Sequence, residues 1–237
     1  MSQSDFNGPP QDVSAIRREL EACLNTVDPA GSLVGNYTYG VYAFYDYDGE
    51  PIYVGQTKEK LRTRIRRHLT NQRTDAVAMN VLDPFEVAEV EMWPLVDLES
   101  LPAGDPGILV ALNSAEYTVF AKVLNESSYS AVLNEKDISP TDTMVLPPSY
   151  RRRIVPDRLF EERCHPDVRI ARRAATIASL AKVISERQVS TGLRRTLVTQ
   201  ARRLEHLARQ RMEELGNTYP IEAPGEETGD GPDKDTE

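Results

Sequence analysis

The chain has 237 residues, 40% of them hydrophobic, and a formal net charge of −9, a size that suits one domain of about 100–150 residues with an appendage. Its longest wholly apolar runs, such as Ile108 to Leu112, span only a few residues, which argues against a bilayer-spanning helix, and the polar stretch Met1 to Pro10 is no signal peptide. The two cysteines, Cys23 and Cys164, lie far apart in no metal-ligand spacing, which argues against a disulfide scaffold or a zinc site and suits a reducing cytoplasm.

In chain order, Asp12 or Ser14 is placed to cap a first helix running to Leu24, with Val13, Ile16, Leu20 and Cys23 or Leu24 on one face. Tyr39 to Tyr45 reads as a strand, Asp46 to Glu50 as a turn around Asp48-Gly49, and Ile52 to Val54 as a second strand, together an antiparallel hairpin. The acids Asp46, Asp48 and Glu50 lack the ligand pattern of a calcium loop and belong to the turn. Lys58 to Leu69 reads as a helix with Leu61, Ile65 and His68 or Leu69 on one face. Phe85 to Trp93 alternates as a third strand, Ile108 to Leu124 is an apolar helix carrying Glu116, and Val132-Leu133-Asn134 follows it. This order predicts an α+β fold, a small three-stranded, mainly antiparallel sheet flanked by helices.

Beyond it, the proline-rich stretch Pro140 to Pro156 reads as a linker. Asp167 to Gln188 reads as a helix with Ile170, Ala174, Ile177, Ala181 and Ile184 as its seam. A second helix to Leu215 carries Leu193, Leu197, Leu204, Ala208 and Leu215, and Gly216 serves as its C-cap, so the pair predicts an αα-hairpin. Residues 1–36 are thus a helix and lead-in, 37–138 a compact domain, 139–165 a linker, 166–216 the helical hairpin and 217–237 an acidic, disordered tail.

The charge is unevenly spread. Residues 58–73 carry seven basic groups against one acidic, and residues 143–214 carry sixteen against eight, while the rest of the chain is acidic. A local basic face binds phosphates whatever the overall sign. Solvated helix faces explain the same charges more plainly.

The candidate chemistry lies in an ordered set. Gly40-Val41-Tyr42 and Tyr53-Val54-Gly55 sit on paired strands, Arg64 and His68 share a helix face, Glu116 stands on an apolar helix, and Asn134 closes a short apolar run. A carboxylate on an apolar face needs a compensating partner, and a metal ion is a good one. The set resembles the GIY-YIG nuclease superfamily over residues 37–137, a group that includes homing and restriction endonucleases and a domain of the excision-repair incision subunit. Valine replaces isoleucine in both triplets, and the stretch from Tyr53 to Arg64 is one residue longer than the commonest spacing, which leaves Arg62 a competitor of Arg64.

The resemblance implies a metal-dependent endonuclease acting on DNA, with RNA open as an alternative. Glu116 would hold Mg²⁺ or Mn²⁺, Tyr42 would take a proton from the attacking water, and Arg64 would stabilise charge on the phosphate. Tyr53 and His68 would orient water or phosphate, and Asn134 would brace the site. Lys58, Arg62, Arg66, Arg67 and the run Arg151, Arg152, Arg153 are candidate phosphate contacts. The helical hairpin is expected to add DNA contacts or to close a homodimer, and a chain ending near Thr141 is expected to fold without it. The rival reading is a catalytically silent nucleic-acid-binding or partner-binding protein on the same fold.

Overall fold

The computed structural model describes residues 11–69, 84–134, 138–186, 188–189 and 191–217. Four strands, β1 (Gly40–Tyr45), β2 (Pro51–Thr57), β3 (Glu89–Pro94) and β4 (Tyr150–Arg153), form one antiparallel sheet in the order β2-β1-β3-β4. Helices α1 (Gln11–Leu24), α2 (Leu61–Leu69) and α4 (Asp157–Arg163) cover one face, and α3 (Pro106–Glu126) covers the other. Alternation along β1 sends Tyr42 and Phe44 to the first core and Val41, Ala43 and Tyr45 to the second. With both faces covered, all six residues of β1 are buried, so an aromatic run stands where a one-sided strand would alternate with polar residues. Tertiary packing confirms the α+β class, with one strand more than the three expected.

α3 begins at Asp105, whose carboxylate accepts the Gly107 N–H at 2.7 Å, with Pro106 in the first turn. By length and composition it could cross a bilayer, which the search for unbroken apolar runs overlooked. Here its stripe Ile108, Leu112, Ala115, Val119 and Val123 packs on the sheet. Full burial of each large apolar side chain stabilises by about 1.5–3 kcal/mol, which fixes this helix and Glu116 upon it.

The stretch expected to be a linker at 139–165 is built into the domain. The Met144 N–H donates to Thr118 Oγ1 at 3.0 Å, and Ile138, Met144 and Leu146 pack on the α3 core. The run Arg151 to Arg153 is the edge strand β4, where Glu89 pairs with Arg153 and Glu91 with Arg151 in the register. Exposed arginines on an edge strand discourage further strand pairing, which is why this strand reads as polar linker in the sequence.

Helices α5 (Pro166–Glu186) and α6 (Thr191–Glu214) form an antiparallel pair. Gly216, with φ +77°, ends α6, and the Asn217 and Gly216 N–H groups return to the Met212 and Glu213 carbonyls. The seams agree with the expected ones only in part: Ile184, Leu193 and Leu197 pack together in the hairpin core. α5 buries Arg169, Arg173 and Leu180 and leaves Ala174 and Ala181 exposed; α6 buries Leu193, Thr196, Thr199, Gln200, Arg203 and Leu207 and exposes Leu215.

The reason is the acidic β1–β2 turn. Arg169 makes a two-pronged ion pair with Asp48, Arg173 reaches Asp46 at 3.2 Å and Glu86 at 3.6 Å, and Arg172 reaches Glu86 at 3.1 Å. Arg203, 2% exposed, lies 3.5 Å from Glu50 and donates to the Pro51 and Ala131 carbonyls at 3.2 and 3.1 Å. Glu50 also accepts from Ser127 and from the Ser128 N–H. A hydrophobic-moment reading cannot see an interface made of matched charges. It also removes the expectation that a chain ending near Thr141 folds intact, because that chain lacks β4 and strands Asp46 and Glu50 without their arginines. The expected acidic tail falls, from residue 218 onward, outside the described residues.

Candidate active site

The β1–β2 register sets Tyr42 opposite Gly55. Tyr53, two residues earlier on β2, leans to the same face, so the two phenols are diagonal neighbours with ring centroids 6.0 Å apart. Gly55 makes this possible. A Cβ there would lie 2.8 Å from the Tyr42 hydroxyl and 3.0 Å from that of Tyr53, so both hydroxyls converge on the space a side chain would fill.

α2 closes the pocket from above. Its Leu61 and Ile65 are buried, which turns Arg64 and His68 inward on the adjacent stripe. The Tyr42 hydroxyl stands 2.8 Å from His68 Nε2 and accepts from Arg64 Nε at 3.3 Å. Arg64 can only donate, so the single proton of Tyr42 is free to point at the imidazole. Tyr42 is fully buried, His68 is 2% exposed, and Tyr53 and Arg64 are half-buried. Burial, seconded by the neighbouring Tyr53, pushes the Tyr42 hydroxyl well above the ordinary phenol value, and Arg64 offsets only part of this. The ring of Tyr53 lies 5.0 Å from that of His68.

On the opposite side of β2, Gln56 faces α3. Its backbone N–H donates to Glu116 Oε1 at 3.0 Å, and its amide Nε2 donates to Glu116 Oε2 at 3.0 Å and to Asn113 Oδ1 at 2.8 Å. Burial raises the Glu116 carboxyl above its ordinary value; the two Gln56 hydrogen bonds and the charge of Arg64 pull the other way. Gln56 and Arg64 also line an open cleft of about 250 Å³ with Thr57, Lys58 and Glu59. Asn134 clamps the outer edge of β2, accepting the Val54 N–H at 2.9 Å and donating to the Val54 carbonyl at 2.8 Å. Asn134 thereby completes the ladder of an edge strand.

Tyr42, Tyr53, Arg64 and His68 thus form one cluster, and Gln56 links β2 to Glu116. The basic residues divide. Lys58 lies in the cleft, but Arg62 donates to Asn25 Oδ1 at 2.8 Å, Arg66 grips Glu21 with both arms of its guanidinium, and Arg67 pairs with Glu59 at 2.6 Å. Arg151 pairs with Glu89 at 2.5 Å and lies 3.7 Å over the Tyr45 ring. Arg153 pairs with Asp157, and Arg152 is exposed on β4, the sheet edge opposite β2. The structure therefore does not bring Arg62, Arg66, Arg67 or Arg151 to Arg153 to the cleft as phosphate contacts. The partners of Arg62, Arg66, Arg67, Arg151 and Arg153 lie elsewhere in the sequence, and only the fold reveals them.

Residues 38–97 match the GIY-YIG catalytic domain family. That segment resembles the catalytic domain of GIY-YIG nucleases. The match takes in both tyrosines, Arg64 and His68, while Glu116 and Asn134 lie beyond it and join the site through the contacts above. No curated protein and no solved structure matches the chain. Sequence reading passed over Gln56 and Asn113. The signal for Gln56 was strand parity: it follows Gly55 and so must face away from the tyrosines, toward the helix that carries Glu116.

Glu116 is a single carboxylate, and among the described residues no group of three or more His, Cys, Asp or Glu side chains comes together. An ion such as Mg²⁺, which keeps most of its waters, needs only one or two carboxylates.

Proposed function

We propose that this chain is a divalent-metal-dependent endonuclease that hydrolyses a phosphodiester bond of DNA. The observation that carries the reading is Tyr42, hydrogen-bonded to His68 and Arg64 with the Tyr53 ring beside it, next to a cleft lined by Arg64 and by Gln56, which itself binds Glu116. Glu116 would hold Mg²⁺ or Mn²⁺, which supplies Lewis-acid charge at the scissile phosphate. Arg64, with no carboxylate in ion-pair range among the described residues, is left to stabilise the phosphate's developing charge, and Lys58 to attract the backbone.

Tyr42, the proton acceptor expected from sequence, is sealed from solvent and raised above the ordinary phenol value, so it does not meet the attacking water. Half-buried Tyr53 does. Its oxygen takes the water's proton as its own passes to Tyr42, and the Tyr42 proton passes to His68 Nε2. Neither phenol has to ionise beforehand, because the proton ends on an imidazole, whose ordinary value lies some three to four units below a phenol's.

The test is plasmid, branched and single-stranded DNA, with RNA in parallel, incubated with Mg²⁺. Glu116→Gln should abolish cleavage, by about a thousandfold or more on the usual scale of electrostatic stabilisers, and keep its binding isotherm. Near-normal cleavage by that variant would show that another carboxylate carries the ion, and cutting of RNA alone would overturn the DNA assignment.

A further inference from the structure

Gln56 bridges β2 and α3. Its backbone and side-chain N–H groups grip both oxygens of one carboxylate, a bidentate hold spanning β2 and α3. Its amide orientation is fixed by chemistry: Nε2 faces two acceptors, Glu116 Oε2 and Asn113 Oδ1, and a flipped amide would set oxygen against oxygen at both. The amide oxygen is correspondingly left buried without a hydrogen-bond partner. An orphaned buried carbonyl costs about 1–3 kcal/mol, so this arrangement opposes stability. A cost of that size, kept beside the carboxylate that Gln56 grips at the edge of the cleft, points to a task other than folding.

We propose that Gln56 is the positioning residue of the metal site. It holds the Glu116 carboxylate in one rotamer through both oxygens, whose remaining lone pairs would be left to hold the ion. Asn113 in turn fixes the Gln56 amide, which makes a chain of three polar side chains from α3 to β2 and back to α3. This inference rests on the reading of Glu116 as metal ligand. Partners that orient a ligand typically govern metal affinity by about ten- to a hundredfold.

The experiment is Mn²⁺ binding to the full chain, followed by loss of the free-ion electron paramagnetic resonance signal, with thermal unfolding in parallel. Gln56→Leu keeps the backbone donor and the volume but removes the amide. It should raise the Mn²⁺ Kd about tenfold, and the Mg²⁺ concentration for half-maximal cleavage in step, with a melting temperature equal to or above that of the parent. Asn113→Ala, which leaves Gln56 in place but unsteadied, should raise the Kd less, and it serves if Gln56→Leu does not fold. Unchanged Mn²⁺ affinity in the two variants, alongside a loss in Glu116→Gln, overturns the role of Gln56 alone. Unchanged affinity in Glu116→Gln overturns the metal-ligand reading and this inference with it.

Discussion

Two clusters of arginine and carboxylate lie on this chain, and they are built on opposite plans. Where α5 and α6 meet the β1–β2 turn, Arg169, Arg173 and Arg203 are nearly inaccessible, and each is answered by Asp46, Asp48, Glu50 or Glu86. Around the cleft, Arg64 is half-buried, touches a phenol rather than an acid, and stands by an open space with Lys58. Matched, dry charge fixes geometry; unmatched, wetted charge is available to a ligand. The arginine-rich composition after residue 143 is the same in kind as that of α2, so only the position of the acids separates the two uses. This contrast gives the hairpin, expected to contact DNA or to close a homodimer, the further part of holding the β1–β2 turn.

The largest test of the contrast removes one matched charge. Arg173→Ala leaves Asp46, 2% exposed, with only the more distant guanidinium of Arg169, at 3.9 Å. Breaking a buried pair by removing one partner costs about 3–5 kcal/mol, since the orphaned charge remains. Chemical denaturation should show that loss, whereas Arg173→Met paired with Asp46→Asn should recover much of it. A loss below about 1 kcal/mol would mean that the interface is wet and the hairpin loosely held.

On the cleft side, the comparison is between two tyrosines. Tyr53→Phe and Tyr42→Phe each break the proton path and should each slow turnover by about a hundredfold or more, with stability nearly unchanged for half-buried Tyr53. If Tyr53→Phe cuts at the normal rate while Tyr42→Phe is inactive, water reaches Tyr42 directly and the path is one link shorter.

Much of this was legible beforehand, and the failures have one cause. The strands, α2 and α3 announced themselves because their apolar residues recur at the right period and their turns carry glycine, as at Gly49 with φ +76°. Tyr42, Tyr53, Arg64 and His68 were legible because a hairpin and one helix hold them within 27 residues. β4, the buried arginines of α5 and α6 and the partners of Arg62 and Arg66 were not, because each is specified by polar pairing over distance. Glu21 meets Arg66 and Asp46 meets Arg173, and no periodicity encodes either.

Acid should undo the matched interface before it affects the cores. Burial raises the Asp48 carboxyl, but hydrogen bonds and charge from Arg169 outweigh it, and the net value lies below the ordinary one. Glu50 is likewise lowered on balance, by Ser128, Ser127 and Arg203 against its own burial. Groups lowered on folding bind protons more readily when unfolded, so their stabilisation is present above the ordinary carboxylate range and is lost as pH falls through the folded values. Stability followed by circular dichroism should therefore be flat from neutrality to about pH 5 and decline below about pH 4. Protection of α5 and α6 amides from hydrogen exchange should fall before that of β1. A simultaneous fall would show that the turn and the sheet open as one unit.

The smallest expected effect belongs to Arg62, and it sharpens the contrast inside a single helix. Arg62 and Arg64 are two residues apart on α2 and were rivals for the same catalytic role. Their surroundings separate them. Arg62 reaches back to Asn25 Oδ1 at 2.8 Å and toward the Leu24 carbonyl at 3.5 Å, at the C-terminal end of α1, where a cation suits the helix dipole. Its loss removes one good hydrogen bond and a modest charge–dipole term, so Arg62→Ala should cost about 1 kcal/mol of stability. It should leave turnover and the slope of log affinity against log salt unchanged, since no phosphate contact is lost. Arg64→Ala should do the reverse, slowing cleavage by about a hundredfold at constant stability. The decisive plot is the salt dependence of DNA binding for Arg62→Ala. A slope shallower by about one unit would return Arg62 to the phosphate backbone and show that its contact with α1 yields to DNA.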